Sequence, residues 1–322
     1  MSRILTGVQS TGTPHLGNIL GAIIPAIELS KKSENESFLF IADLHSLTQI
    51  KNKKELRENT FATAATWLAF GLDVNKTIFY KQSDVAQVTE LSWYLSCYYP
   101  YQRLTLAHSF KDKSSELKDI NTGLFSYPIL MAADILLYDA EYVPVGKDQL
   151  QHLEITRKVA SKFNSINGET FLIPKPLVQK KHQNIPGVDG NKMSKSKDNV
   201  INIFLSDKKL RKQIMSIATD STPIEEPKDP YSCNVFHLYS LMASQKNIEK
   251  MKSNYLNGGF GYGTAKNILF EEILNKFKKE KKLFNHFISN PDEVNNVLAK
   301  GAEKAKKIAN SVLIRVRKRI GY

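Results

Sequence analysis

Short apolar runs alternate with amphipathic stretches along the first half of the chain. The runs have the length and the β-branched or aromatic content of buried strands, and they fall at residues 4–8, 38–42, 77–80, 142–145 and, more weakly, 171–173. Between the second and third runs, apolar positions recur at helical spacing from Leu56 to Leu68, and Gly71 follows as a stop signal. This alternation predicts an α/β fold built on a parallel sheet.

Helical periodicity interrupts the strand pattern over residues 84–137, which predicts a helical insertion into the sheet domain. Four tyrosines stand near its start, and we expect them to belong to the core or, alternatively, to a subunit interface: Tyr94, Tyr98, Tyr99 and Tyr101.

Beyond about residue 200 the helical pattern continues to the end of the chain without a strand-like run. We therefore predict a sheet domain over residues 1–200 and an all-α domain over residues 201–322. The last stretch, residues 299–320, combines one apolar face with many basic residues and predicts a terminal helix, either a plain surface helix or one that contacts nucleic-acid phosphates.

Composition narrows the class of protein without naming a function. The 322 residues are 42% hydrophobic and 24% charged, which is typical of a globular protein. Lysine and arginine number 45 against 32 acidic residues, and the net charge of +13 favours a polyanionic partner, although a basic surface that only aids solubility explains it equally well.

Targeting and metal-binding signals are weak. Cys97 and Cys233 stand far apart with no CxxC pair, so we expect no zinc or iron–sulfur site. The chain enters a strand-like run at once, without the pattern of a signal peptide, and it contains no apolar span of 18 residues. We expect a cytoplasmic protein that does not enter a membrane.

Polar side chains follow the ends of the predicted strands. Gln9 follows the first, Asp43 and His45 follow the second, and residues 82–84 and 146–149 follow the third and fourth. Because ligands of open parallel sheets bind beyond the carboxyl ends of the strands, these residues are candidates for a binding site.

The first strand leads through a glycine-rich turn, residues 7–18 (GVQSTGTPHLGN), into an apolar helix. Such a turn aims backbone N–H groups and the positive end of a helix dipole at an anion. It predicts a nucleotide site, but it fits neither GxGxxG nor GxxxxGK[ST], which argues against dinucleotide-binding dehydrogenases and P-loop enzymes.

A second motif lies at residues 191–199 (NKMSKSKDN), where three lysines fall within six residues. A basic loop of this kind can close over a polyphosphate and neutralise the charge that develops on a departing pyrophosphate.

Together the two motifs resemble those of class I aminoacyl-tRNA synthetases. Residues 15–18 (HLGN) match the HIGH signature, and residues 192–196 are a full copy of KMSKS. Asn18 in place of the last histidine is typical of the tryptophanyl and tyrosyl branch. The resemblance implies a Rossmann-like catalytic domain and a helical domain that binds the tRNA anticodon.

Further segments resemble the tryptophanyl enzymes: residues 127–137, 143–149 and 151–152. Asp134 is a carboxylate within an apolar helical run, where an unpaired charge would be costly. An indole N–H is a donor only, so an acceptor in an apolar pocket suits tryptophan. The resemblance implies these substrate-binding residues: Asp134, Met131, Tyr127, Gln149, His45, Val143 and Val145.

The same resemblance implies formation of tryptophanyl-adenylate from ATP, followed by transfer to tRNA(Trp). It implies Lys113, Lys192 and Lys195 as catalytic residues, and one Mg²⁺ held by ATP rather than by a metal site of the protein. ATP is then bound by Gln9, Ser10, Thr11, Gly17, Asn18, Gly146, Lys147, Asp148, Ile185, Lys192, Met193, Ser194, Lys195 and Ser196. A homodimer is also implied.

Two departures from the family pattern bear on these expectations. His108 and Ser109 stand where many relatives have Thr-Gln, and Lys147 stands where relatives often carry glutamate. Three other functions stay open on the residues alone: a tyrosyl-tRNA synthetase, a nucleotidyltransferase of the HIGH superfamily, and a catalytically silent paralogue that binds tRNA.

Overall fold

A computed structural model describes residues 2–32, 34–106, 120–146, 149–178 and 185–322. Its centre is a five-stranded sheet in the order β3-β2-β1-β4-β5, with every pair parallel. The strands are β1 Ser2–Val8, β2 Asn35–Ile41, β3 Thr77–Lys81, β4 Tyr142–Val145 and β5 Lys175–Val178. The predicted α/β fold with a parallel sheet is confirmed, and its first four predicted strands overlap the observed ones.

The fifth predicted strand, residues 171–173, is wrong. The Asn164 side chain accepts from the backbone N–H of Phe171 and donates to its carbonyl oxygen, so Phe171 has no backbone group left for a strand. Its ring packs 4.9 Å from that of Phe163, which explains why the segment is apolar. The strand begins after Pro174, at Lys175.

Helices in the first part of the chain connect and cover the strands. They are α1 Leu16–Asn18, α2 Ile24–Ser30, α3 Asp43–Ser46, α4 Lys53–Ala69, α5 Gln87–Ser96, α6 Tyr101–Leu104, α7 Thr122–Leu136 and α8 Leu150–Asn167. A π-helical turn, Ile19–Ile23, joins α1 to α2. Asn52 caps the start of α4. Gly71, the predicted stop signal, follows its end with a φ of +84°.

Three of the four tyrosines of the predicted insertion join the core, and the fourth does not. Tyr94, Tyr98 and Tyr99 are partly buried against the main hydrophobic cluster, and the Tyr98 ring lies 4.7 Å from that of Phe163. Tyr101 is 66% exposed.

After β5 the described chain forms helices and no further strand of the sheet. These are α9 Asp207–Met215, α10 Asn234–Ser240, α11 Gln245–Asn257, α12 Tyr262–Lys276, α13 Lys278–Ser289 and α14 Pro291–Ile320. The terminal helix thus begins at Pro291, ahead of the predicted residue 299. The division into domains at residue 200 stays a prediction, since one hydrophobic cluster joins Leu16 and Trp67 to Val235 and Leu269.

The long helix α14 covers the edge strand β3. Gly301 lies so close that a Cβ built there would be 1.8 Å from the carbonyl oxygen of Phe79, and Ala302, Ala305 and Ala309 continue the buried face. Burial of an edge strand removes a surface on which another chain could pair. Within the described residues, no helix is both long and apolar enough to cross a membrane.

Candidate active site

A cavity of about 340 Å³ lies at the carboxyl ends of β1 and β4. This is the place where the strand order reverses, and such a switch point is where open α/β sheets bind ligands. All seven residues predicted to bind the substrate line it: Asp134, Met131, Tyr127, Gln149, His45, Val143 and Val145. Gln9 lines it as well.

Asp134 is the charged group of this cavity, and its side chain is almost fully buried. His45 donates from Nε2 to Oδ2 at 2.8 Å, and the Gln82 amide donates to Oδ1 and Oδ2, each at 2.8 Å. Burial raises the pKa of the Asp134 carboxyl, while the hydrogen bond and charge of His45 act in the opposite direction. The sequence required a partner for this carboxylate, and the structure supplies two.

Gln82 was a candidate because it stands in the polar segment after β3, but no specific role was predicted for it. Its Oε1 accepts from the backbone N–H groups of Leu44 and His45, so the same side chain caps α3 and holds Asp134. In return Asp43 accepts hydrogen bonds from the backbone and hydroxyl of Ser83. In the sequence, only their position after two neighbouring strands indicated these residues.

Tyr127 also lines the cavity and lies on the same helix as Asp134, α7. Its ring meets that of His45 edge to face with centroids 6.0 Å apart, and its hydroxyl shares a hydrogen bond with Nε2 of the buried His152. Among the described residues, the lining therefore combines aromatic and aliphatic walls with one carboxylate, which suits a flat apolar ring that carries a hydrogen-bond donor.

The glycine-rich turn lies next to this cavity. Gly12 has a φ of +137°, in the region that favours glycine. His15 and Asn18 cap α1 reciprocally: the His15 ring accepts from the Asn18 N–H at Nδ1, and the Asn18 side chain accepts from the His15 N–H. Burial and, less strongly, the charge of Lys195 lower the pKa of His15 to about 4, so the ring is neutral at pH 7 and carries its proton on Nε2.

Ser10 differs from its neighbours in the turn. Its N–H and hydroxyl both bond to the Ser46 hydroxyl, and its hydroxyl also bonds to Thr60. Thr11, Gly17 and Asn18 are half-buried and Gln9 is exposed. The turn is thus fastened to α3 and α4 through Ser10.

The second motif folds back onto this turn. Lys195 donates from Nζ to the carbonyl oxygen of Gly12 at 2.6 Å, and burial lowers its pKa to about 8. Met193 and Ile185 pack on α1 and the π-turn, where a Cβ at Gly17 would lie 3.2 Å from Met193 Cβ and one at Gly21 would lie 3.6 Å from Ile185 Cδ1. Lys192 is exposed, and Ser194 and Ser196 share a hydrogen bond.

Asn199, the last residue of the motif, holds the loop in shape, a role that the sequence did not predict. Its buried side chain accepts from the Ser194 N–H and donates to Asp189 and to the Lys192 carbonyl oxygen. Since one side chain ties together both ends of the loop, the positions of the motif lysines depend on it.

Several predicted residues lie outside the cavity or outside the described residues. Gly146 is described and directly follows β4. Lys113, Lys147 and Asp148 fall outside the described residues, as do the two positions of the His108 and Ser109 departure.

The comparisons with known proteins agree with this geometry. The model of the family tRNA synthetases class I (W and Y) matches residues 1–279. A tryptophan–tRNA ligase of Rhodopirellula baltica is 45% identical over 319 residues, which is 99% of both chains.

Solved structures give the same result. A crystal structure of tryptophanyl-tRNA synthetase from Campylobacter jejuni complexed with ADP and tryptophan superposes with a TM-score of 0.94, at 42% identity, and covers 99% of this chain and 100% of that one. The enzyme from Mycoplasma pneumoniae superposes with a TM-score of 0.83 at 28% identity, with 100% and 98% covered. The chain belongs to the class I tRNA synthetases of the W and Y group.

Proposed function

We propose that the protein activates L-tryptophan with ATP to tryptophanyl-adenylate and pyrophosphate and then transfers tryptophan to tRNA(Trp). The observation that carries this proposal is the buried Asp134 carboxylate in an aromatic and aliphatic cavity beside the glycine turn. An indole N–H only donates, so a carboxylate is its natural partner. The identity to tryptophan–tRNA ligases over nearly the whole chain supports the same substrate.

In the proposed reaction the tryptophan carboxylate attacks the α-phosphorus of ATP in line, and pyrophosphate leaves. Positioning and charge stabilisation account for most of the catalysis of such transfers, so cations and donors matter more than a protein nucleophile. We assign this work to Lys192 and Lys195, with Lys113 as a third cation. The contact between Lys195 and the glycine turn supports the assignment.

ATP binding is assigned to the surfaces that two segments form together: the glycine turn, residues 7–18, and the lysine loop, residues 191–199. Neutral His15 offers an N–H donor at Nε2, and Met193 and Ile185 offer an apolar surface for the adenine against Gly17 and Gly21. Ser10 holds the shape of the turn. The remaining predicted contacts stay as proposals: Gln9, Thr11, Asn18, Gly146, Lys147, Asp148, Ser194 and Ser196.

Magnesium is proposed as a partner of ATP. The described residues contain no group of three or more His, Cys, Asp or Glu side chains that could hold a metal ion, and Mg²⁺ commonly binds through substrate phosphates and water. A Mg²⁺ ion here would therefore be held by phosphate oxygens and water, and its charge would add to that of the lysines.

The decisive experiment is ATP–pyrophosphate exchange with tryptophan and tyrosine supplied separately. We expect exchange that depends on tryptophan, followed by release of AMP when tRNA is added. Exchange that depends on tyrosine alone would reject the assignment in favour of the tyrosyl branch. Exchange without any transfer to tRNA would favour a nucleotidyltransferase, and tRNA binding without exchange would indicate a silent paralogue.

The helices after β5 are proposed to bind the tRNA, with α14 in contact with its phosphates. Lys300, Lys304 and Lys307 are exposed on one face of α14 and form no ion pair with any described residue, whereas Arg317 is paired with Glu90. Free ammonium groups on one face suit a phosphate backbone.

Filter binding over a series of salt concentrations tests the role of α14. The double variant Lys304→Ala/Lys307→Ala should weaken tRNA binding and reduce the slope of log K against log salt by about 1.5. Glu90→Ala/Arg317→Ala, which removes a pair of opposite charges, is the control and should leave the slope unchanged. Equal slopes in the native protein and the lysine variant would make α14 a surface helix without a part in tRNA binding.

We also propose that the protein is a cytoplasmic homodimer whose interface includes the exposed apolar side chains around α5, α6 and α7. Leu47, Trp93 and Tyr101 are 41%, 69% and 66% exposed. Leu47 also lines a groove together with Leu44 and Tyr127, so this groove reaches the wall of the substrate cavity. Large apolar side chains that are exposed beside such a groove indicate an interaction site.

Sedimentation equilibrium tests the dimer directly. The native protein should sediment at twice the 36.4 kDa mass of the chain, and Trp93→Asp should shift it towards the monomer. A native protein that sediments as a monomer at micromolar concentration would overturn this proposal.

A further inference from the structure

We propose that Gln82 is a positioning residue for tryptophan recognition: its amide group orients the Asp134 carboxylate while its carbonyl oxygen fixes the turn that carries His45. This inference rests on the proposed role of Asp134 in binding the indole.

The contacts of Gln82 leave no ambiguity about the orientation of its amide. Oε1 faces two backbone donors, the N–H groups of Leu44 at 3.1 Å and His45 at 3.4 Å. Nε2 faces both oxygens of Asp134. If the amide oxygen and nitrogen were exchanged, Nε2 would face the two backbone N–H donors and Oε1 would face the carboxylate oxygens, and both contacts would be repulsive. Gln82 is 1% exposed, so water cannot take over either contact.

One side chain thus connects the two polar groups of the cavity. Asp134 lies on α7, and His45 lies on α3, whose first N–H groups lack partners within so short a helix. Gln82 supplies those partners from the end of β3 and holds the carboxylate at the same time. A shift of Gln82 would move the acceptor and the imidazole together.

The donors of Gln82 and His45 still leave acceptor capacity in the cavity. An ionised carboxylate has about four acceptor positions. The Gln82 amide lies between the two oxygens and His45 occupies one position on Oδ2, so Oδ1 retains capacity for a donor that enters the cavity, which Asp134 lines. The carboxylate is therefore held in place without being saturated.

Gln82 also favours the ionised form of Asp134. Burial alone would drive the carboxyl towards protonation, and a protonated carboxyl is a poorer acceptor for an indole N–H. His45 and Gln82 supply donors that oppose protonation and so limit the rise that burial causes in the Asp134 pKa.

The other titratable groups around Asp134 are Asp43 on α3, Tyr80 on β3 and Tyr138 after α7. Asp43 raises the Asp134 pKa, and burial raises the pKa of both tyrosines, so they are neutral at pH 7. Neither tyrosine therefore adds a charge that could replace the effect of Gln82.

Two substitutions separate the two contacts of Gln82. Gln82→Met removes both. Gln82→Glu keeps an oxygen for the N–H groups of α3 but replaces the donor to Asp134 by a second carboxylate. Gln87→Met is the matched control, because Gln87 donates to Asn310 at the surface of α14 and does not contact the cavity.

The measurements are KM for tryptophan, KM for ATP and kcat, each over a pH series on both sides of neutrality. We expect Gln82→Met to raise KM for tryptophan on the order of 10- to 100-fold, the range of a lost hydrogen bond to a charged group, with a much smaller change in KM for ATP. Gln87→Met should leave both constants within about twofold, as surface changes usually do.

The pH dependence gives a signature that a purely structural role would lack. In the native enzyme KM for tryptophan should rise as the pH falls and Asp134 takes up a proton. In Gln82→Glu it should fall with the pH, because a proton shared between the introduced carboxyl group and Asp134 restores a donor to the Asp134 carboxylate. A lower KM for tryptophan at low pH in Gln82→Glu supports positioning of Asp134 by the Gln82 amide. Parallel pH profiles in the two proteins would overturn it.

The failure of this inference can be distinguished from failure of the proposed function. If Asp134→Ala leaves KM for tryptophan unchanged, the role of Asp134 itself is rejected. If Asp134→Ala raises this KM but Gln82→Met raises it no more than it raises KM for ATP, only the positioning role is rejected. Should Gln82→Met not fold, the pH profile of Gln82→Glu still decides.

Discussion

Lys195 donates a hydrogen bond to the carbonyl oxygen of Gly12 at 2.6 Å, although the two residues are 183 positions apart in the chain. The contact brings the cation of the lysine loop onto the turn where the ATP phosphates are proposed to lie. It also buries the ammonium group, which lowers the Lys195 pKa to about 8.

The Lys195 pKa predicts the pH at which the alkaline limb of the pH–rate profile for adenylate formation begins. Above a pH of about 8 the free enzyme loses the Lys195 charge, so kcat/KM for ATP should fall as the pH rises through this value. Lys195→Arg should move this limb to higher pH because arginine stays charged. Pyrophosphate exchange across this range measures it, and an identical limb in both proteins would assign it to another group.

Removal of the Lys195 charge should act on the transition state more than on binding. We expect Lys195→Ala to lower the rate of adenylate formation by about 10²-fold or more while the Kd for tryptophan changes little, since the lysine contacts the nucleotide side of the site. Single-turnover kinetics with titration of tryptophan separates the two. An unchanged rate would remove Lys195 from the mechanism.

Substitution of Asp134 should change KM for tryptophan much more than KM for ATP. Asp134→Ala removes the acceptor and leaves the donors of His45 and Gln82 unpaired, so we expect KM for tryptophan to rise by about 10- to 100-fold with KM for ATP nearly unchanged. Steady-state pyrophosphate exchange with each substrate varied in turn gives both constants. Asp134→Asn keeps the size of the side chain and controls for the cavity. Equal losses for both substrates would point to misfolding.

Asn199 should hold the lysine loop in its shape without contacting a substrate itself. Asn199→Ala removes hydrogen bonds to Ser194, Lys192 and Asp189, so we expect a higher KM for ATP and a loss of about 1–3 kcal/mol in the free energy of unfolding. Asn257→Ala, at an exposed position on α11, is the control and should stay within about 0.5 kcal/mol. Unchanged ATP kinetics in Asn199→Ala would show that the loop holds its shape by other contacts.

The sequence predicted those features of the fold and the site that depend on a local pattern of residues and on their chemistry. Four strands followed from apolar runs, and Asp134 stood out because a charge in an apolar helix needs a partner. What it did not predict depends on contacts between distant segments. Gln82 and Asn199 lie in segments that the sequence marked as candidates, but their roles arise only when β3 meets α3 or when the lysine loop closes on itself. The strand predicted at Phe171 was wrong for the same reason. The Asn164 side chain forms hydrogen bonds with the N–H and the carbonyl oxygen of Phe171, which the sequence pattern does not reveal.

The contact between α14 and β3 should make Gly301 intolerant of any side chain. A Cβ there would lie 1.8 Å from the carbonyl oxygen of Phe79, and neither atom can rotate away because the backbone fixes the position of each, so helix and strand must separate. We expect Gly301→Ala to cost at least about 3 kcal/mol of unfolding free energy. Gly263→Ala is the matched control, since that glycine lies in α12 with nothing within 4 Å of the added carbon. It should change stability by no more than about 1 kcal/mol, in the stabilising direction. Denaturant unfolding of both variants tests the packing, and equal stability would mean that α14 does not rest on the edge strand in solution.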